Sequence, residues 1–333
     1  MADTIDAARI GDPPPNIPID LSGSDRHRFG LKPHELIARD YTRNRYLKAV
    51  PDDQLMARMQ DILANFHIIN PSGQISVNLN DHIIWYWLAK TTEVQMEMEL
   101  RHGPYPAGWN INAEGLPGSL RQVGKRENFI LKPSADLPKR FLLKYGRKER
   151  LQPLLKKGEL RIMPAADYKD ESLTTAIRDD ELLAQISYDP VLYFLKGNSG
   201  ISSHDERNSY HRRANSNFYV ACFSDRLEPR LVVDFDGDAC LLIRDPDAFV
   251  QRLGGAVLAQ LPGWEFIVRD IEYYDPLRIS PTEIKLPFSK HFKYAYQQEV
   301  RLVWVPPTPC GGLPPLWIEI GNMDGIAELI VPG

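Results

Sequence analysis

Cysteine is scarce in this 333-residue chain: Cys222, Cys240 and Cys310 are the only three, and no two form a C-x-x-C pair. That excludes a disulfide framework and the common zinc and dithiol motifs, and it predicts reduced core thiols in a cytoplasmic protein. An excess of charge is missing as well. Forty Lys and Arg against forty-four Asp and Glu leave a formal net charge of -4, with no polybasic field for tight, sequence-blind binding to duplex nucleic acid. Long hydrophobic runs are also absent. The longest, Ile83 to Ala89, falls far short of the roughly 20 residues that cross a bilayer, so no membrane role is expected. The first twenty residues are acidic and Pro-rich, unlike a secretory signal. With 43% hydrophobic and 25% charged residues, the composition fits a soluble protein of one large or two ordinary domains.

Residues 1–30 include Gly11-Asp-Pro-Pro-Pro-Asn-Ile-Pro18, which cannot nucleate a helix and predicts an extended tail. Residues 31–135 read as mainly helical. Apolar side chains recur at three-to-four spacing from Pro33 to Phe66, with an interruption at Pro51 that predicts two helices. Asp81 opens a long helix that should stop at Gly103, and Gly103 to Gly124 is an irregular connection. The Trp85-Tyr86-Trp87 cluster and the Met96/Met98 pair read as helix core. From residue 136 to 333 the pattern changes to short β-branched and aromatic runs between turn signals. Expected strands are Phe141 to Tyr145, Phe218 to Ser224, Arg230 to Phe235, Ala239 to Ile243, Trp264 to Tyr273, Tyr294 to Val305, Trp317 to Ile320 and Glu328 to Val331. Helices are expected near Arg150 to Lys157 and from Asp245-Pro246, an N-cap followed by a first-turn proline, to about Leu261. Strands that mostly follow strands predict an antiparallel α+β domain.

The run Tyr294 to Trp304 carries the most chemistry. On a strand, Gln297, Glu299 and Arg301 share one face, while Tyr296, Gln298, Val300, Leu302 and Trp304 share the other. An antiparallel strand with one wet face accounts for that pattern. So does a site in which an amide and a carboxylate stand side by side to stabilise a cationic transition state.

Three stretches occur in order: Leu143-Lys-Tyr-Gly146 leading into Leu154 to Ile162, then Cys222-Phe223-Ser224, then Tyr296-Gln297-Gln298-Glu299-Val300-Arg301. With the acidic segment Ala176 to Glu181, they make the chain from about Lys139 onward resemble a family of bacterial proteins of uncharacterised function. Their order is similar to the three-part signature of ADP-ribosyltransferases: a basic residue on a first strand, an aromatic-Ser strand, then Gln-x-Glu. The resemblance implies an ADP-ribosyltransferase-like pair of small, mainly antiparallel sheets with NAD, as substrate, in the cleft between them. It implies that Glu299 contacts the nicotinamide ribose and offsets charge at the anomeric carbon, and that Gln297 positions the acceptor. Ser224 would hold the glutamate or ribose, Tyr145 would stack on an aromatic ring, and Tyr210, His211 or Arg212 would touch NAD or acceptor. The first strand departs from the pattern, because Lys144 stands where arginine or histidine is usual and lacks arginine's bidentate fork; Arg147 or Arg161 are alternatives. The acceptor implied is macromolecular, a protein amide side chain or a nucleobase, in a toxin or phage-defence effector whose helical region meets the target or an inhibitory protein partner. A catalytically silent binding module on the same fold is the alternative.

Leu231-Val-Val-Asp-Phe-Asp-Gly-Asp238 resembles the strand motif of haloacid-dehalogenase-type phosphatases, which would make Asp234 and Asp236 magnesium ligands. Asp238 replaces the threonine of that motif, and the apolar run that follows fits a hairpin with Asp-Gly at its tip. His204 and His211 lie in a polar stretch expected to be a solvated loop, at a separation unlike zinc spacing.

Overall fold

The computed structural model describes residues 33–43, 45–70, 73–77, 81–104, 118, 129–188, 208–279 and 283–333. The tail at 1–30, most of the 103–124 connection and His204 lie outside them. Three helices form the N-terminal layer: α1 (Pro33–Arg43), α2 (Asp52–Phe66) and α3 (Asp81–His102), with a small antiparallel pair, β1 (His67–Ile69) and β2 (Ile75–Val77), between the last two. The break at Pro51 and the stop at Gly103, whose φ of 81° suits a residue without Cβ, fall where the sequence puts them. Among the described residues no helix is long and apolar enough to cross a membrane.

The C-terminal part is α+β. Its strands are β3 (Leu142–Gly146), β4 (Glu159–Pro164), β5 (Leu183–Tyr188), β6 (Asn208–Arg213), β7 (Tyr219–Ser224), β8 (Ala239–Ile243), β9 (Glu265–Asp270), β10 (Glu272–Tyr274), β11 (Ser289–His291), β12 (Glu299–Val305), β13 (Leu316–Glu319) and β14 (Ala327–Ile330). Its helices are α4 (Lys148–Lys157), α5 (Pro229–Asp234) and α6 (Pro246–Gln260). Eight strands make one forked antiparallel sheet. β12 lies along one edge of β7 and carries β9 beyond it; the other edge of β7 is shared by β4 at its start and β3 at its end. From there β13 extends β4, and β8 then β14 extend β3. Side chains such as Leu142, Phe223, Leu241, Leu302 and Trp304 pack on one face against Leu151 and Leu154 of α4 and Phe249 and Leu253 of α6. The α6 start follows its sequence signal, with Asp245 accepting from the Ala248 amide at 3.0 Å.

Two expected strands are something else. Arg230 to Phe235 forms α5, because Glu228 accepts from the Arg230 amide, Pro229 opens the first turn, and Leu231 and Val232 are fully buried against the sheet. The Asp236-Gly237 turn therefore joins a helix to a strand and is not a hairpin tip. The first half of Tyr294 to Val305 is a 3-10 turn, Phe292–Gln297, closed by Gln298 in the left-handed region at φ 44°. Asn65 of α2 takes the Tyr296 amide at 2.7 Å and donates to the Lys293 carbonyl at 3.1 Å, so these backbone groups have no strand partner to find. The solvated loop expected around His211 is also a strand, β6, paired with β5 over six residues.

The helical layer shares its core with the C-terminal part. Phe292 packs into the cluster of Tyr46, Leu55, Ile62 and Trp87, stacking on Trp87 at 5.9 Å. Beside it Arg58 binds Asp275 through two bonds of 2.9 and 2.6 Å, and Lys90 reaches the same carboxylate at 3.1 Å. Glu93 and Glu97, which the helical pattern puts in an acidic stretch of α3, are buried too. Glu93 accepts from Tyr46 at 2.5 Å and Glu97 from Arg45 and Arg101.

Candidate functional site

The three sequence motifs lie on adjacent strands. Leu143 of β3 pairs with Ser224 of β7, which pairs with Glu299 of β12, so one line across the sheet crosses all three. Alternation then sorts their side chains. Ser224 and Glu299 share one face, as Tyr145 does with its neighbour Leu143, whereas Lys144 points to the opposite face with Leu142. There its Nζ donates to the Cys222 carbonyl at 2.8 Å and lies 5.1 Å from the Phe223 ring centre. Lys144 is thus engaged with β7, although it still feels the Glu299 charge. Tyr145 is engaged as well: its hydroxyl donates to the Arg226 carbonyl at 2.6 Å and accepts from the Glu228 amide at 2.9 Å. Ser224 holds the Gln297 carbonyl at 2.7 Å rather than the Glu299 carboxylate.

The face bearing Glu299 and Arg301 is polar, as alternation predicts, but it is dry. Glu299 is 6% exposed and Arg301 0%. Arg301 Nε donates to Glu299 Oε1 at 2.6 Å and Lys290 Nζ of β11 to Oε2 at 3.0 Å. The rest of the Arg301 fork grips Glu181 at 2.6 and 2.7 Å and the Pro287 carbonyl at 3.1 Å. Two carboxylates and two cations make the cluster neutral, which is what allows it to be buried. Burial pushes the Glu299 carboxyl upward, but the charges of Arg301 and Lys290 outweigh it and hold the group well below the usual carboxylate range. Burial wins at Glu181, whose carboxyl is raised despite Arg301, so Glu299 carries the firmer charge. The Cys222 thiol, buried beside that charge, is pushed up to about 12 and is no nucleophile at neutral pH.

Gln297 is in the 3-10 turn and not on β12, yet it still meets Glu299 through a common partner, because Lys290 Nζ also donates to its Oε1 at 3.2 Å. Its Nε2 donates to the Ala176 carbonyl at 2.9 Å. Tyr210, 42% exposed, and Arg212 stand on the β5–β6 hairpin, a sheet separate from the motif strands.

On the far side of Gln297 an open cleft of about 640 Å³ lies between α2, α5 and the 292–297 turn, with Asp61, Arg230, Asp234, Lys293, Tyr294 and Tyr296 in its walls. Its volume is in the range of small-molecule sites, and like many of them it lies where two parts of the fold meet. Arg230 binds Asp234 at 2.9 Å, donates to the Ala64 carbonyl and lies flat 3.6 Å over Tyr296. Asp236 is exposed and paired with Arg147. Of the two phosphatase-motif aspartates, Asp234 thus ends a helix and Asp236 follows it, where that motif requires a strand, and each is held by an arginine. Among the described residues no group of three or more His, Cys, Asp or Glu is placed to hold a metal ion.

One carboxyl beside the motif titrates near neutrality. Asp225, next to Ser224, is pushed up to about 6 by burial and by Asp270. A raised folded value favours the protonated native state, so this group's contribution is complete below about pH 4 and lost as pH rises through about 6. Asp225→Asn is therefore expected to raise unfolding free energy at pH 8 by on the order of 1 kcal/mol, discounted for partial exposure, with the gap closing by pH 4. Urea unfolding at the two pH values checks it.

Sequence reasoning overlooked Lys290 and gave Arg301 no role beyond its place in the motif. The signal at Arg301 was a single charge inside an apolar run, Val300 to Val305, whereas Lys290, between Ser289 and His291, carries no such signal. Glu181 entered only as the end of an acidic segment. Compared with protein-family models, curated proteins and solved structures, the chain matches none.

Proposed function

We propose that the chain is a catalytically silent binding module on an ADP-ribosyltransferase-like scaffold, with Glu299 as the anion of an internal ion cluster. The observation that carries this reading is the pairing of both Glu299 carboxylate oxygens, one with Arg301 and one with Lys290, at 6% exposure. Stabilising an oxocarbenium-like centre needs negative charge aimed at the place where positive charge develops. Here two cations already occupy contact distance, and freeing the carboxylate would take from Lys290 its ion-pair partner in a dry interior. Lys144, on the opposite face, offers nothing to a pyrophosphate in this reading.

The active-transferase reading, with NAD as substrate and a protein or nucleobase acceptor, has one observation in its favour: the alignment of Leu143, Ser224 and Glu299 across adjacent strands. The same experiment decides between them. Wild type and Glu299→Gln are incubated with NAD labelled in its adenylate half and a cell lysate, split for protease and nuclease treatment. The silent module releases no nicotinamide and labels nothing, and Glu299→Gln lowers its stability. Label that is transferred by wild type and lost in an equally stable Glu299→Gln protein establishes the transferase and sinks this reading.

A further inference from the structure

The cleft beside Gln297 belongs neither to the ion cluster nor to the motif strands, and its charges do not cancel in the way theirs do. Arg230 is committed to Asp234, and Asp236 to Arg147. That leaves one group of each sign. Asp61 on α2 and Lys293 on the 292–297 turn both line the cleft, and among the described residues neither forms an ion pair. Lys293 rests only on the Tyr294 ring, 4.8 Å from its centre. Asp61 feels the Lys293 and Arg58 charges from a distance, and burial still holds its carboxyl above the ordinary value.

Opposite charges in one cleft ordinarily close on each other. Here their backbones are tied to one another by Asn65, itself 3% exposed, and still no ion pair forms between the side chains. Its Nδ2 donates to the Asp61 carbonyl at 2.7 Å and to the Lys293 carbonyl at 3.1 Å, while its Oδ1 accepts from the Tyr296 amide at 2.7 Å. Arg230, bonded to the Ala64 carbonyl, ties α5 to the same turn of α2. α2, α5 and the 292–297 turn are thus tied to one another, and Thr174 to Ala176 add to the lining beside them.

We propose that this cleft binds a small zwitterion, a free amino acid or short peptide, with its ammonium on Asp61 and its carboxylate on Lys293. Arg230 stiffens the floor through Tyr296, and Asn65 is a positioning residue that touches no ligand. The site goes beyond the silent-module reading and does not depend on it, because neither Glu299 nor NAD takes part.

Calorimetric titration of the whole protein with the free L-amino acids, diglycine and triglycine tests it. At least one of these gives saturable binding. Its N-acetylated and C-amidated forms, each lacking one charge, bind roughly tenfold or more weakly, and so do Lys293→Met and Asp61→Asn with the uncapped ligand. Asn65→Ala weakens binding although both charges remain; unchanged circular dichroism separates that loss from unfolding. The proposal is overturned if no zwitterion binds at millimolar concentration, if capped peptides bind as well as free ones, or if Lys293→Met and Asp61→Asn leave affinity unchanged. NAD turnover, present or absent, moves none of these readouts.

Discussion

Arg301→Met lowers the unfolding free energy by about 3 to 5 kcal/mol, among the largest losses a single substitution in this chain can cause. The side chain is completely buried and bonds to Glu299, Glu181 and the Pro287 carbonyl. Methionine has similar length and fills the space, so packing is largely kept. What remains is a dry interior with two carboxylates and only Lys290 to balance them. Removing one partner of a buried set costs far more than the set itself contributes, because the stranded charge keeps its desolvation penalty. The double variant Glu181→Gln, Arg301→Met, which keeps the Lys290–Glu299 pair and is neutral, should therefore recover much of the loss, and urea unfolding of wild type, single and double variants measures it. A double variant no more stable than Arg301→Met would refute the stranded-charge account.

Asp275→Ala is the second large effect, again about 3 to 5 kcal/mol, and it strikes the seam between the helical layer and the sheet. Asp275 is 5% exposed and neutralises Arg58 and Lys90 at once, with Arg278 nearby and itself bonded to Glu93. Its loss leaves three cations facing Glu93 alone. Burial pushes the Asp275 carboxyl upward, but the Arg58 and Lys90 charges outweigh that and hold it well below its ordinary range. The linkage sign follows: a depressed carboxylate contributes stability that is complete above its unfolded value near pH 4 and is lost as pH falls further. Wild type should thus lose stability on acidification below about pH 4 more steeply than Asp275→Ala. Unfolding curves from pH 7 to 3 record both effects, and parallel pH profiles would contradict the assignment.

Much of the frame was legible in the sequence where a local rule acted alone. Asp245-Pro246 marked a helix start, Pro51 a break and Gly103 a stop, since each works through its own backbone or the next turn. The α+β class followed from strands succeeding strands. Misreadings came where a distant residue overruled propensity. Leu231-Val232-Val233 is β-prone, but a Glu228 cap and a buried face make it helical. Tyr294 to Gln297 alternates like a strand, but Asn65, more than 200 residues earlier, takes its backbone bonds. For the site, alternation correctly put Glu299 and Arg301 on one face of β12 and the apolar residues on the other. It could not tell a wet face from a covered one, because the cover comes from Glu181 and Lys290, which no local pattern links to β12. The cleft was invisible for the same reason: its walls come from α2, α5 and the 292–297 turn, and Asp61 has no signature of its own.

The Arg58–Asp275 bond spans 217 residues of chain. At common synthesis rates of about 5 to 20 residues per second, Arg58 emerges from the ribosome roughly ten to forty seconds before its partner has been made. Phe292, which completes the helical core, comes later still. During that interval α1, α2 and α3 can form their turns but cannot close their layer, and Arg58, Lys90 and Glu93 remain open to water and to chaperones. The helical layer is thus made before the sheet that completes it and is among the last parts to be finished.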